Sequence, residues 1–180
     1  CNLPLNSNGL LQAEAIADAL KDEPVEVIYS SPLSRALQTA ETINRFHDKE
    51  IIFDDRLKEM NLGEMDGVYY PSLKNIVPEF FHAWSTAPAS VRWPGGESMP
   101  ELQERIWQAV SGIIAHGYVD SVVLTSHFFS LLSLLCRILA LDLSNFRRIN
   151  IGVASISMVE FKEGNARLVS CNDICHLDNA

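Results

Sequence analysis

Arg35 is the first residue whose type and position suggest chemistry. It lies in the first turn of a predicted helix that follows a predicted strand, within residues 30–35 (SSPLSR). The free backbone N–H groups and the dipole of such a helix start favour an anion, and a guanidinium there can bind phosphate through two hydrogen bonds. The alternative interpretation is an ordinary solvated helix arginine.

His127 and Glu59 are the next candidates. His127 follows a predicted strand directly, so it could donate a hydrogen bond to a phosphoryl oxygen or act as an acid or base. The alternative is a core histidine that is satisfied by a backbone carbonyl. Glu59 lies with Glu64 and Asp66 in a glycine-punctuated loop, where one carboxyl could be a general acid with a raised pKa. A solvated acidic loop is the alternative there.

The elements that must position these residues alternate between helix and strand. Apolar spacing predicts helices over residues 9–21, 31–46, 72–84, 98–115 and 130–141, and strands over 25–29, 51–53, 121–125, 154–161 and 166–171. This order predicts an α/β fold of three layers, with a mostly parallel central sheet and helices on both faces. Ligands of such sheets bind beyond the carboxyl ends of the strands, where Ser30-Ser31 and Ser126-His127 lie.

The composition limits the classes of partner that the protein can bind. The 180 residues carry 14 Lys and Arg against 23 Asp and Glu, a net charge of −9, which argues against nucleic acid or an anionic membrane as the main partner. A small phosphorylated metabolite is still compatible, because it responds to a local pocket. The four cysteines show no disulfide framework and no complete metal site, and no signal peptide is visible, so we expect a cytoplasmic protein. The sequence leaves a homodimer open.

Taken in order, the motifs resemble the histidine phosphatase superfamily, the phosphoglycerate-mutase-like enzymes. The resemblance spans nearly the whole chain, and its most specific motif is the run at residues 30–40 (SSPLSRALQTA). The other matching segments are residues 4–13, 56–67, 94–98 (PGGES) and 126–127. Within that superfamily, residues 57–64 (LKEMNLGE), Ala83-Trp84 and residues 126–135 are most similar to the α-ribazole phosphate phosphatases of cobalamin assembly.

The resemblance implies a mechanism and roles for four residues. A nucleophilic histidine would attack phosphorus and become a phosphohistidine, which water then hydrolyses, with no metal or cofactor. Arg35 would clamp the phosphoryl oxygens, and His127 would be the second histidine, which stabilises charge on the transferring group. Glu59 would protonate the leaving oxygen and later activate water. Phe128 would line the substrate pocket.

Two departures from the family pattern accompany this resemblance. The family's nucleophile lies in an Arg-His-Gly motif at the end of the first strand, and no such motif occurs in this sequence. Phe128, followed by Phe129, stands where the family usually has glycine after the second histidine. The chain begins with Cys1, so our hypothesis is an upstream strand that ends in Arg-His-Gly. We therefore expect residues 1–180 to form one domain without its first strand, with a cap region at residues 66–97.

The sequence supports three functions. The first is a phosphomonoesterase, with α-ribazole phosphate as the expected substrate. The second is a phosphoglycerate mutase or a broad-specificity phosphatase, although the chain is short for the insertions that mutases carry. The third is an inactive phospholigand-binding protein, which the missing nucleophile and the Phe128-Phe129 pair favour. The polypeptide as printed, without a nucleophile, is expected to be inactive.

Overall fold

The computed structural model describes residues 1–178, and it has the α/β fold that the sequence predicts. Three parallel strands form one sheet in the order β2-β1-β3, and two antiparallel strands form a hairpin, β4-β5. The strands are β1 Val25–Ser30, β2 Ile51–Phe53, β3 Ser121–Thr125, β4 Ile156–Lys162 and β5 Asn165–Asp173. The helices are α1 Ser7–Leu20, α2 Ser34–Asn44, α3 Leu73–Ile76, α4 Pro78–Thr86, α5 Met99–His116 and α6 Phe128–Ile138.

Helices cover both faces of the parallel sheet because consecutive residues of β1 point to opposite faces. Ile28 is fully buried in a cluster with residues of α1 and α2, such as Ala17 and Ile43. The next residue, Tyr29, packs on the other side with residues of α5 and α6. Parallel strands that are covered on both faces are buried on both, which explains the apolar run VEVIY in the sequence. This confirms the predicted three-layer arrangement.

β3 is only partly buried. Only Thr125 is buried; Val122, Val123 and Leu124 are partly exposed, and Ser121 is exposed. Within residues 1–178, β3 pairs along one edge with β1, and its other edge lines a cleft of about 1310 Å³. Side chains of α1 and β4 line the same cleft. The open edge of β3 therefore lies opposite the hairpin, with the cleft between them.

Three predicted helices have different boundaries in the structure. α2 begins at Ser34 with Leu33 as its N-cap, so the helix does not start at Ser31-Pro32. The predicted helix 72–84 is two helices separated at Val77, because the residue before a proline is disfavoured in the α region. α6 begins at Phe128, directly after His127, rather than at Ser130. Position 128 is therefore the first helical residue beside the candidate histidine.

An aromatic cluster connects α4 to the rest of the fold. Trp84 and Trp93 are almost completely buried, with ring centroids 5.0 Å apart, and Phe129 packs edge-on against Trp84 at 5.8 Å. The predicted cap region at residues 66–97 contributes α3, α4 and both tryptophans to this cluster. Its assignment as a cap remains a prediction.

Two glycines clamp the loop that follows β2 against residues 94–97. Gly63 has φ +56°, and a Cβ atom there would lie 2.1 Å from the carbonyl oxygen of Pro94. A Cβ atom on Gly96 would lie 2.3 Å from the carbonyl oxygen of Asn61. Two hydrogen bonds cross the same contact, from the Glu64 N–H to the Pro94 carbonyl and from the Glu97 N–H to the Asn61 carbonyl, both 2.9 Å. The glycines of the motif at residues 94–98 therefore allow two loops to touch.

Gly63→Ala is expected to lower the free energy of unfolding by about 2–4 kcal/mol, because the new methyl group meets backbone atoms that cannot move independently. Gly112→Ala is the matched control. It lies in the exposed interior of α5 with no atom within 4 Å of its Cβ position, so alanine should stabilise the protein by about 0.5–1 kcal/mol. Urea unfolding of both variants measures the two changes in the free energy of unfolding. Equal changes would contradict the close backbone contact at Gly63.

Candidate active site

The parallel register of β1 and β3 brings Ser31 and His127 together. Ser30 is paired with Thr125, so the residues that follow each strand leave the sheet at the same edge. The Ser31 N–H donates to the Thr125 carbonyl at 3.0 Å, which extends the ladder by one bond. The Nε2 atom of His127 then lies 2.7 Å from the Ser31 hydroxyl oxygen. The two strand ends that the sequence singled out therefore form one site.

His127 is held in its neutral form. Its side chain is only 6% exposed, and burial together with the nearby positive charges of Arg35 and Arg105 lowers its pKa from 6.5 to about 3. A neutral imidazole carries one N–H donor and one acceptor nitrogen. At neutral pH the ring can therefore donate a hydrogen bond to an anion without carrying charge itself.

The Glu59 carboxyl points to the first turn of α6. It accepts hydrogen bonds from the backbone N–H of Met60 at 2.7 Å and of Phe129 at 3.4 Å. Burial raises its pKa above the ordinary value of 4.5, while these hydrogen bonds and Arg35 oppose the shift. A carboxyl with a raised pKa is suited to hold and release a proton, so Glu59 fits a general acid better than a solvated loop residue.

Arg105 is the residue of this region that our sequence analysis missed. It extends from α5, forms an ion pair with Glu97 at 2.7 Å, and donates to the carbonyl oxygens of Arg56 at 2.7 Å and Lys58 at 3.0 Å. The hydroxyls of Ser126 and Ser130 hold the carbonyls of Leu57 and Lys58, each at 2.7 Å. These bonds fix the loop that carries Glu59. Nothing in the helical pattern of α5 distinguished Arg105, because the loop carbonyls that it binds lie 46–49 residues earlier in the chain.

Arg35 lines the same cleft as Glu59, His127 and Phe128. Its guanidinium donates to the Cys1 carbonyl at 3.1 Å, and within residues 1–178 it forms no ion pair with a carboxylate. The sequence predicts free backbone N–H groups at the start of α2. Two N–H groups there have partners in the structure. The Leu33 N–H donates to the Ser31 hydroxyl and the Ser34 N–H donates to the Asn2 side chain.

Phe128 does not fill the centre of the site. Its side chain is 48% exposed and packs edge-on against Phe129, with centroids 5.1 Å apart. The backbone N–H of Phe129 still points inward, to Glu59. Its role as a substrate-binding residue stays a prediction.

The structure thus gathers one cation, one neutral histidine and one protonatable carboxyl beside the carboxyl ends of β1 and β3. This set can bind a phosphoryl group, stabilise charge on it and transfer a proton to a leaving oxygen.

Between Cys1 and Asp178, no group of three or more His, Cys, Asp or Glu residues is arranged to hold a metal ion. None of the helices in that range is long and apolar enough to cross a membrane.

The depressed pKa of His127 makes acid destabilise the fold. The unfolded chain takes up a proton near pH 6.5, but the folded state resists it down to about pH 3, so this stabilisation is present above pH 6.5 and is lost as the pH falls. Between pH 7 and pH 5, the wild type should lose about 2 kcal/mol more than His127→Gln. The raised pKa of Glu59 acts in the opposite direction in both proteins.

Urea unfolding at pH 7, 6 and 5 measures this difference. His82→Gln, at an exposed position of α4, is the matched control and should follow the wild type. Parallel curves for the wild type and His127→Gln would contradict a buried neutral His127.

Comparison with known proteins identifies the family. The family model "Histidine phosphatase superfamily (branch 1)" matches residues 1–174. "Phosphoserine phosphatase 1" of Hydrogenobacter thermophilus is 31% identical over 173 residues, which cover 96% of this chain and 82% of that protein. "Probable phosphoglycerate mutase GpmB" of Escherichia coli is 32% identical over 180 residues, covering 97% of this chain and 84% of that protein.

The solved structure of Bacillus stearothermophilus YhfR superposes with a TM-score of 0.93 at 24% identity, over 98% of this chain and 88% of that one. That likeness concerns the fold. The sequence relatives are phosphatases and phosphoglycerate-mutase-like proteins, so the function lies in phosphoryl chemistry. With a family model that covers almost its full length and a site built at the expected strand ends, the chain belongs to the histidine phosphatase superfamily.

Proposed function

We propose that this chain forms most of a phosphomonoesterase that works through a phosphohistidine intermediate. The observation that carries the proposal is that Arg35 lines the same cleft as His127 and Glu59 and is near enough for its charge to act on the pKa of both. Arg35 binds two phosphoryl oxygens, and the N–H of neutral His127 donates to a third. Glu59 in its protonated form gives its proton to the leaving alcohol oxygen. It then takes a proton from the water that attacks the phosphohistidine, which restores the starting state.

This division of labour suits phosphoryl transfer. The transition state spreads negative charge over the equatorial oxygens, so catalysis depends on positioned positive charge and donors more than on covalent help. A leaving alkoxide requires a proton, and a carboxyl with a raised pKa keeps its proton to a higher pH than an ordinary glutamate does.

The nucleophile requires a further residue. Of the five histidines, only His127 lines the cleft, and its Nε2 atom is already bonded to Ser31. We propose that a strand ending in Arg-His-Gly occupies the cleft, beside the open edge of β3. The free backbone groups of β3 support such a partner, since an unpaired strand edge is a template for pairing. The apolar side chains of α1 and β4 that line the cleft suit a strand buried on both faces.

α-Ribazole phosphate is the substrate that we propose first, on the local sequence similarity at residues 57–64 and 126–135. Phosphoserine is the matched competitor, because a protein named for that activity is 31% identical. Inorganic phosphate release from each ester compares them. Retention of the phosphoryl group on 3-phosphoglycerate would instead support a mutase, as the similarity to GpmB suggests. Phosphate binding without turnover by a verified full-length protein would select the inactive phospholigand-binding alternative.

The roles of Arg35 and His127 are tested by alanine substitution in the full-length gene product. With p-nitrophenyl phosphate and no added metal, each variant should lose about 100-fold or more in kcat/KM, because each removes charge stabilisation or a donor in the transition state. Arg45→Ala, exposed after the end of the same helix, and His82→Ala are the matched controls and should retain activity. Unchanged turnover in Arg35→Ala and His127→Ala would refute the site.

The strand proposal is tested by sequencing the encoding gene upstream of Cys1 and by expressing both forms. The printed chain should show no phosphatase activity, and the form extended by an Arg-His-Gly strand should show it, since the extension supplies the nucleophile. Replacing that histidine by alanine in the extended form should abolish turnover while the thermal stability gained from the strand remains. An upstream reading frame without Arg-His-Gly would overturn the proposal.

A further inference from the structure

The hydroxyl of Ser31 lies between the start of α2 and the ring of His127. Ser31 is fully buried, and its position is fixed by the bond from its N–H to the Thr125 carbonyl. Its oxygen lies 3.3 Å from the Leu33 backbone nitrogen and 2.7 Å from Nε2 of His127. Between residues 1 and 178, this oxygen makes no other hydrogen bond.

The number of available hydrogens sets the direction of the hydrogen bond between Ser31 and His127. A serine hydroxyl has one hydrogen to donate, and the Leu33 N–H can only be a donor to it. If His127 also donated through Nε2, the Ser31 hydrogen would have no acceptor in a fully buried place. An unsatisfied buried donor costs about 1–3 kcal/mol. The arrangement that satisfies all three groups has Ser31 donating to an unprotonated Nε2.

The other ring nitrogen must then carry the hydrogen. Nδ1 has no hydrogen-bond partner in the described part of the chain, yet it is not sealed from solvent, so the open space next to it is the cleft that His127 lines. The charges that act on this ring come from Arg35 of α2 and Arg105 of α5, and Glu59, from the loop after β2, lines the same cleft. Both arginines are cations, which oppose a second proton on the ring.

We infer that Ser31 is a positioning residue that fixes His127 as its Nδ1–H tautomer and so presents an N–H donor, rather than a lone pair, to an anion bound beside Arg35. In the other tautomer, the Nδ1 lone pair would face the oxygens of that anion and repel them. The consequence for turnover rests on the proposed phosphatase function. The tautomer itself does not, because it is a property of the chain alone.

The test is ¹⁵N NMR of the histidine rings at pH 7.5, where the two tautomers give distinct shifts for Nδ1 and Nε2. The signal that disappears in His127→Gln identifies the residue. The wild type should show a protonated Nδ1 and an unprotonated Nε2. Ser31→Ala should move the ring toward the Nε2–H form, and Ser31→Thr, which keeps the hydroxyl, should restore the wild-type pattern.

Ser30→Ala is the matched control. It removes the neighbouring buried hydroxyl, which bonds to the Thr125 side chain and the Ser31 carbonyl, and should leave the His127 signal unchanged. An Nε2–H pattern or a doubly protonated ring in the wild type would overturn the inference, even if Ser31→Ala did not fold. So would an unchanged tautomer in a folded Ser31→Ala.

A second measurement separates this inference from the proposed function. In the full-length enzyme, Ser31→Ala should lower kcat/KM for p-nitrophenyl phosphate by about tenfold or more, with Ser30→Ala within about twofold of the wild type. If no form of the protein turns over, the proposed function fails, while the NMR result still decides the tautomer. If turnover occurs and the Ser31→Ala tautomer shifts without loss of rate, the catalytic part of the inference is wrong.

Discussion

The parallel register between β1 and β3 is the constraint on which the rest of the site depends. A slip of one residue would reverse the facing of every side chain along β1 and separate Ser31 from His127. The register is reinforced where the strands end, since the Ser31 N–H adds one more backbone hydrogen bond, to the Thr125 carbonyl. The two apolar faces of β1 are held by different helix pairs, so a slip would also expose both clusters. The contacts that stabilise the sheet thus also set the geometry of the site.

The carboxyl of the site is supported in a different way. No regular strand or helix carries Glu59; the loop is fixed from outside by Arg105, Ser126 and Ser130, which bind its carbonyl oxygens. Backbone carbonyls of a loop need partners when they are partly buried, and here side chains from α5, β3's end and α6 supply them. Burial raises the pKa of Glu59 even though the backbone N–H groups of Met60 and Phe129 and the charge of Arg35 favour the carboxylate.

The sequence predicted the strands and most of the helices, because their apolar spacing reflects faces that are buried locally. It placed α6 two residues too late, since the polar pair at Ser126-His127 concealed a helix that begins at Phe128. The break at Val77 was readable from Pro78, which disfavours a helical residue before it. The α/β pattern placed the strand ends at Ser31 and His127 on one edge of the sheet, whereas the roles of Arg35 and His127 came from the family resemblance. The contacts of Arg105 and of Ser31 span 47 and 96 residues, and nothing in local periodicity encodes such pairs.

The Ser31 oxygen has a consequence for how this site can change over time. One atom accepts the first amide near α2 and also contacts the ring of His127. A single substitution at this serine therefore disturbs both the helix that carries Arg35 and the histidine that follows the neighbouring strand. In the proposed site, Arg35 and His127 are coupled through this oxygen, so the effects of substituting them on ligand affinity should not be additive. The substitutions that one strand end can accept during evolution are therefore limited by the other end, although the two ends are almost a hundred residues apart in the chain.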